Sequence, residues 1–88
     1  MNIKKELQKA FPFHTIGHHK ETQSTDEEYF ILFGKGKKLC LQLHSNFYFV
    51  DVWNGKTLFP FPPFTSAKKA IAFMRLLYAY TIWLKSSK

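Results

Sequence analysis

The stretch from residue 47 to residue 53, which reads Phe-Tyr-Phe-Val-Asp-Val-Trp, constrains the fold more than any other part of this chain. Its side chains alternate as they do in a β-strand with two different faces. Residues of one parity are apolar: Tyr48, Val50 and Val52. Residues of the other parity combine aromatic rings with one acid: Phe47, Phe49, Asp51 and Trp53. Because an acid in the middle of a strand usually faces water, this pattern predicts that three large aromatic side chains lie on the outer face of a sheet.

Turn signals on both sides of this strand predict an antiparallel meander. Three strands are predicted, over residues 29–33, 39–44 and 47–53. The third is followed by Asn54-Gly55, a strong hairpin signal because both residues tolerate the positive φ of a type I′ turn. A short fourth strand within residues 56–61 is therefore expected to return along the third, at a sheet edge where proline is tolerated.

A two-residue turn at Ser45-Asn46 would fix the register of the second and third strands. It pairs His44 with Phe47 and predicts a core face of six apolar side chains: Leu39, Leu41, Leu43, Tyr48, Val50 and Val52. The outer face then gains four further side chains: Lys38, Cys40, Gln42 and His44. If residues 35–36 also form a two-residue turn, the first strand contributes to both faces: Phe30 and Leu32 to the core, and Tyr29, Ile31 and Phe33 to the outer face.

A short amphipathic helix is predicted at the N-terminus. Asn2 can cap it, and it runs from residue 3 to about residue 11, where Pro12 ends it. Its apolar stripe consists of Ile3, Leu7, Ala10 and Phe11. Residues 13–20 fit either a weak strand or a loop.

The longest predicted element is a helix from residue 67 to about residue 85, with Thr65 or Ser66 as its cap. Its apolar arc is wider than packing on one sheet face requires. A homodimer would cover this arc. The alternative is that two segments of the same chain, residues 11–13 and 59–64, fold over it.

These elements predict an α+β fold for a single domain of residues 1–88, in the order α-β-β-β-(β)-α, with the antiparallel meander packed on the long C-terminal helix. The chain has 88 residues, of which 45% are hydrophobic, and this is enough for one small core. The single cysteine, Cys40, excludes an internal disulfide framework. The longest apolar stretch, residues 70–84, has 15 residues and falls short of the roughly 20 that span a bilayer. With no signal-peptide pattern at the N-terminus, a cytoplasmic location is expected.

Positive charge is unevenly placed along the chain. The formal net charge is +7, and from Lys35 onward there are nine basic residues and one acidic residue. Four of the six acids lie between residues 21 and 28. This asymmetry suits binding to nucleic acid, to an anionic membrane surface or to an acidic protein. The alternative is a charge that only keeps a small domain soluble.

Enzymatic and metal-binding functions find little support. The four histidines, at positions 14, 18, 19 and 44, match neither a zinc-finger spacing nor a helical metal-binding pair. Cys40 and His44 share a strand face, but about 13 Å separates them in an extended strand, too far for the histidine to activate the thiol. A nucleophile elbow, a phosphate loop and a dinucleotide fingerprint are all missing. We therefore predict no catalytic residue, no metal site and no cofactor.

A small basic, non-enzymatic nucleic-acid-binding protein is the function that the sequence favours most. Aromatic side chains on a sheet face stack unpaired bases, while lysines neutralise the phosphates. The candidate residues are Lys35, Lys37, Lys38, Phe47, Phe49, Trp53, Lys56, Lys68 and Lys69. The alternative is a protein-protein interaction module, either a dimeric adaptor or an inhibitor of a larger acidic partner, because exposed aromatic rings also suit protein interfaces.

The order of helix, three-strand meander and helix resembles the double-stranded-RNA-binding domain. Residues 66–72 resemble the Ser-Lys-Lys-x-Ala start of that family's last helix, with one residue inserted between Ser66 and Lys68. The resemblance implies that Lys68 and Lys69 touch phosphates. The family's Gly-Pro-x-His loop is missing, and residues 34–37 stand in its place, so the similarity is one of topology.

Overall fold

The computed structural model describes residues 2–20, 26–34, 37–53 and 58–86, and for residues 33–34, 58–60 and 81–86 it describes the backbone only. The elements are α1 (Ile3–Ala10), β1 (Ile16–Lys20), β2 (Glu27–Gly34), β3 (Lys37–His44), β4 (Phe47–Trp53), β5 (Leu58–Pro60) and α2 (Ala67–Ser86). The five strands form one antiparallel sheet in chain order, β1-β2-β3-β4-β5. The predicted α+β class, with a meander packed on a C-terminal helix, is therefore confirmed.

The β3–β4 hairpin has the predicted turn and register. Ser45 and Asn46 have positive φ angles of 50° and 69°, as a type I′ turn requires. His44 pairs with Phe47, and the pairing continues without a shift to Lys38 opposite Trp53. The turn therefore determines which side chains of both strands share a face.

Both helices begin at the predicted caps. The Asn2 side chain accepts a hydrogen bond from the backbone N–H of Lys5 at 3.1 Å. At the start of α2, the Ser66 hydroxyl accepts one from the backbone N–H of Lys69 at 3.4 Å. These contacts satisfy donors that have no partner within the helix.

The core lies between the sheet and both helices. Its fully buried side chains come from α1, three strands and α2: Leu7, Ile31, Leu39, Leu41, Val50 and Met74. Leu43, Tyr48 and Val52 pack against this cluster. The core face predicted for β3 and β4 is therefore confirmed, and the fold has two layers, with both helices on the same side of the sheet.

The face predicted for the first strand of the meander, β2, is wrong. The pairing of β2 with β3 shifts between Leu32 and Gly34, which is the irregularity of a β-bulge. Such an insertion exchanges the two faces of the strand. Tyr29 and Ile31 consequently lie in the core, at 7% and 0% exposure, whereas Leu32 is 60% exposed on the other face. Phe30 shares that outer face with Leu32.

Two edge strands complete the sheet. Residues 16–20, which fitted either a weak strand or a loop, form β1 and pair with β2. The expected fourth strand of the meander is β5, which pairs with β4 through Val52 opposite Phe59. Its Pro60 is tolerated because β5 lies at the edge of the described sheet.

Segments of the same chain cover part of the apolar arc of α2. The Phe61 and Phe64 rings lie 5.0 and 5.4 Å from the Phe73 ring, and the Phe11 ring lies 5.6 Å from that of Tyr78. Other large side chains of the helix remain in solvent, among them Leu76 at 69% exposure and Tyr80 at 58%. The homodimer stays a prediction. No helix among the described residues has the length and apolar character needed to cross a membrane.

Candidate functional site

The outer face of the sheet lies opposite the helices, and we call it the sheet face. Its aromatic side chains are Phe30, Phe47, Phe49 and Trp53. Phe47 is 44% exposed, and the other three are partly exposed. Neither α1 nor α2 covers these rings, because both helices pack on the core face. The described part of the molecule therefore presents an aromatic surface to solvent.

One end of the sheet face is basic, and we call it the lysine end. Lys38 lies opposite Trp53 in the β3–β4 ladder, and its Nζ is 5.3 Å from the centre of the Phe30 ring, within the range of a cation–π contact. Lys37 begins β3 at this same end and is exposed. The strand ends that flank residues 35–36 and 54–57 also meet here. The predicted site residues Lys35 and Lys56 fall in those two segments, outside the described residues.

Sequence reasoning missed Phe30 as a residue of this surface. Its ring lies over Gly17 of the neighbouring strand β1. A Cβ atom on Gly17 would come within 2.2 Å of Phe30 Cζ, so only glycine leaves room for the ring. A glycine within a predicted strand is a signal for such a close approach and could have identified the site.

The middle of the sheet face buries a thiol and a carboxyl group. Cys40 and Asp51 are paired neighbours on β3 and β4, and they are only 4% and 5% exposed. Burial, and after it the negative charge of Glu28, raises the pKa of Asp51 above its ordinary value. Burial, and after it the negative charges of Glu28 and Asp51, raise the pKa of Cys40 to about 11, although Lys38 acts in the opposite direction. Little of the thiol is therefore ionised at neutral pH, and thiolate is the form that reacts as a nucleophile.

The opposite end of the sheet face is acidic, and we call it the acidic end. The Gln42 amide donates a hydrogen bond of 2.9 Å to the Glu28 carboxylate, and His44 Nδ1 lies 2.7 Å from Asp26 Oδ2. These groups line a depression of about 320 Å³. Phe47 lies at this end because it pairs with His44. Among the described residues, no group of three or more histidine, cysteine or acidic side chains is arranged to hold a metal ion.

Two of the predicted lysines lie away from the aromatic rings. Lys68 and Lys69 are exposed in the first turn of α2, and α2 packs on the core face of the sheet. The structure thus brings Lys38 together with Trp53 and leaves Lys68 and Lys69 on the other side of the sheet. The seven predicted site residues that the structure describes do not form one continuous surface.

Two other histidines, His18 and His14, make local structural contacts. The His18 ring stacks on Tyr29 with centres 4.4 Å apart, and its Nε2 lies 3.2 Å from Glu27 Oε1. His14 Nε2 is 2.9 Å from the Tyr78 hydroxyl, which joins the turn after α1 to α2. These contacts give both side chains a role in packing.

Comparison with known proteins gives no relative. No family model matches the chain, and neither a curated protein nor a solved structure is significantly similar to it. The described sheet also has a strand on each side of the three-strand meander, which the layout of the double-stranded-RNA-binding domain lacks.

Proposed function

We propose that this protein is a non-enzymatic domain that binds single-stranded nucleic acid at the lysine end of the sheet face. The observation that carries the proposal is the position of Lys38 beside Trp53 and Phe30 on a surface that no described helix covers. Aromatic rings stack unpaired bases of any sequence, and a neighbouring lysine neutralises the phosphate that follows. A duplex keeps its bases stacked inside, so it gains little from these rings.

The two ends of the sheet face limit where a strand can bind. At the acidic end, the carboxylates of Asp26 and Glu28 repel phosphates. At the lysine end, Lys37 and Lys38 attract them. We therefore expect bases to stack on Trp53 and Phe49, and we expect Phe47, beside His44 and Asp26, to contribute less.

The proposal is tested by fluorescence anisotropy with labelled single- and double-stranded DNA and RNA over a series of salt concentrations. Trp53→Ala should weaken single-strand binding by about 1–3 kcal/mol, the loss for one stacked base. Tyr80→Ala is the matched control, since it removes a partly exposed ring from α2 instead. Equal losses for both variants would contradict binding on the sheet face.

A charge-reversal pair tests the lysine end in the same assay. Lys38→Glu should weaken binding and reduce the slope of log K against log salt by about 0.7 for each phosphate that the protein no longer neutralises. Lys68→Glu makes the same change of net charge on the other side of the sheet and should have a smaller effect. If Lys68→Glu has the larger effect, the phosphates are bound at α2. No binding of any nucleic acid at low salt by folded protein would refute the proposal.

A protein partner is the second candidate, favoured by one observation. Leu32 is 60% exposed and lies on the sheet face with the aromatic rings, and the acidic end of this face carries the carboxylates of Glu28 and Asp26. A partner protein could place an apolar side chain on the rings and a basic one near the acids. Salt separates the two functions, because nucleic-acid binding weakens steeply with salt and an aromatic protein interface persists.

Two further expectations stay predictions. Leu76 and Tyr80 are large exposed side chains on α2, and a homodimer through them would give a mass near twice 10.4 kDa by sedimentation. A single species of 10.4 kDa at high concentration would contradict the dimer. A cytoplasmic location is checked by imaging a fluorescent fusion of the chain.

A further inference from the structure

A groove lies on the outer side of the two helices and is separate from the sheet face. Two depressions of about 310 Å³ each lie between α1 and α2. Ala10 and Arg75 line both of them, so the two depressions adjoin. We call the combined surface the helix groove. It extends from Lys9 and Lys68 at one end to Phe13 at the other.

The helix groove is positively charged. Lys9, Lys68 and Arg75 line it, and the one carboxylate among its described lining residues, that of Glu6, lies 3.7 Å from Lys9. The sequence of α2 contains no acidic residue that would offset these cations. A ligand in this groove is therefore favoured if it carries negative charge.

The helix groove also offers apolar contacts of two kinds. Its floor includes the methyl groups of Ala10 and Ala72 and the buried side chain of Ile71. At its end, the ring of Phe13 is 95% exposed. A ring so fully in solvent is accessible to a ligand.

The turn that presents Phe13 is held in place by hydrogen bonds. The Gln8 side chain donates to the backbone carbonyls of Phe11 and His14 at 3.0 and 2.8 Å. The backbone N–H of His14 donates to the Phe11 carbonyl at 3.2 Å. Because these bonds fix the turn before any ligand arrives, binding at Phe13 requires little further ordering.

We propose that the helix groove binds an acidic peptide segment of a partner protein that carries one bulky apolar side chain. The carboxylates of the segment pair with Lys9, Lys68 and Arg75, and its apolar side chain packs between Phe13 and the floor of the groove. This pairing of an apolar anchor with flanking charges is the usual anatomy of a peptide-binding groove.

Three other occupants fit the groove less well. A second copy of this chain is poorly suited, because Asp26, Glu27 and Glu28 already contact His44, His18 and Gln42. Nucleic acid would meet a floor of methyl groups instead of ring faces on which its bases could stack. A flat bilayer surface does not enter a concave groove, although it could take up Phe13.

The test is a selection of short random peptides displayed on phage against the intact protein, followed by affinity measurements on the enriched peptides. We expect enriched peptides to have net negative charge and at least one aromatic or branched aliphatic residue. Phe13→Ser should weaken their binding by about 30-fold, the loss at an interface hot spot. Arg75→Glu should weaken it and reverse its preference for acidic peptides. Both residues are exposed, so both variants should keep the fold, which circular dichroism checks.

Matched variants outside the groove make the result decisive. Lys4→Glu repeats the charge change, and Leu76→Ser removes another exposed apolar side chain; both should bind the selected peptides as the unaltered protein does. Trp53→Ala, on the sheet face, should also bind them normally, which keeps this proposal separate from that for nucleic acid. The proposal is overturned if no peptide is enriched, if enriched peptides lack negative charge, or if the controls lose as much affinity as Phe13→Ser. Binding of anionic vesicles or oligonucleotides that depends on Phe13, with no peptide selected, would overturn it as well.

Discussion

The bulge in β2 predicts different losses of stability when two neighbouring side chains, Ile31 and Leu32, are truncated. Ile31 is fully buried and Leu32 is 60% exposed, yet each loses three carbon atoms on substitution by alanine. At about 0.8 kcal/mol for each buried methylene group, Ile31→Ala loses about 2.4 kcal/mol of transfer free energy. The cavity left behind brings the cost towards the middle of the range of about 2–5 kcal/mol for such substitutions. Because Leu32 is 60% exposed, Leu32→Ala loses only about two fifths of this transfer free energy, or about 1 kcal/mol.

Urea unfolding followed by circular dichroism measures both changes. A domain of this size has a free energy of unfolding of about 5–15 kcal/mol, so both variants should remain folded in water. Ile31→Ala should lower the midpoint markedly, and Leu32→Ala only slightly. A cost for Leu32→Ala equal to or above that for Ile31→Ala would mean that β2 has the unbulged register. Phe30 would then lie in the core, and the proposed nucleic-acid surface would lose one of its rings.

Three further predictions follow from the same surface. Since the pKa of Cys40 is about 11, only about one thiol in a thousand is ionised at pH 8. A thiol reagent should therefore react slowly with the native protein until denaturant is added. Fast reaction of the native protein would contradict the burial of Cys40. Burial and the charge of Glu28 raise the pKa of Asp51. Ionised Asp51 therefore destabilises the fold at pH values above the raised pKa, and this effect is absent at pH values below the ordinary pKa of the group. Asp51→Asn should therefore raise the free energy of unfolding near neutral pH and lose this advantage in acid, whereas an advantage that grows in acid would refute the argument. Gly17→Ala should displace the Phe30 ring and abolish the ring-current shift of the nearby lysine side chain in proton NMR; an unchanged shift would show that the ring does not lie over Gly17.

Much of the fold could be predicted because particular residues determine it locally. Ser45 and Asn46 form the expected two-residue turn, and this turn fixed the faces of both central strands. Asn2 marked the start of α1, and Ser66 was one of two candidate caps for α2, because such side chains accept hydrogen bonds from backbone N–H groups. Strand β1 could not be distinguished from a loop, since its only buried side chain is Ile16. Its sequence therefore does not alternate between apolar and polar residues.

The candidate site was only partly predictable. Alternation alone placed Phe49 and Trp53 on the outer face, but it could not reveal the bulge in β2, because both parities of that strand are apolar. Phe30 was therefore assigned to the wrong face. Lys68 was grouped with the aromatic rings because sequence charge carries no information on which side of a sheet a helix packs. The burial of Asp51, which is 5% exposed, was also missed, since an acid in the middle of a strand usually faces water.

The most direct test of the central claim is to map the bound strand on the protein by NMR. Titration of a short single-stranded oligonucleotide into isotope-labelled protein should shift the indole N–H of Trp53 and the backbone amides of Lys38 and Phe49. The amides of Lys68 and Lys69 should stay unchanged, because α2 lies on the far side of the sheet. Shifts confined to α2, with the Trp53 indole unmoved at saturation, would contradict binding on the sheet face.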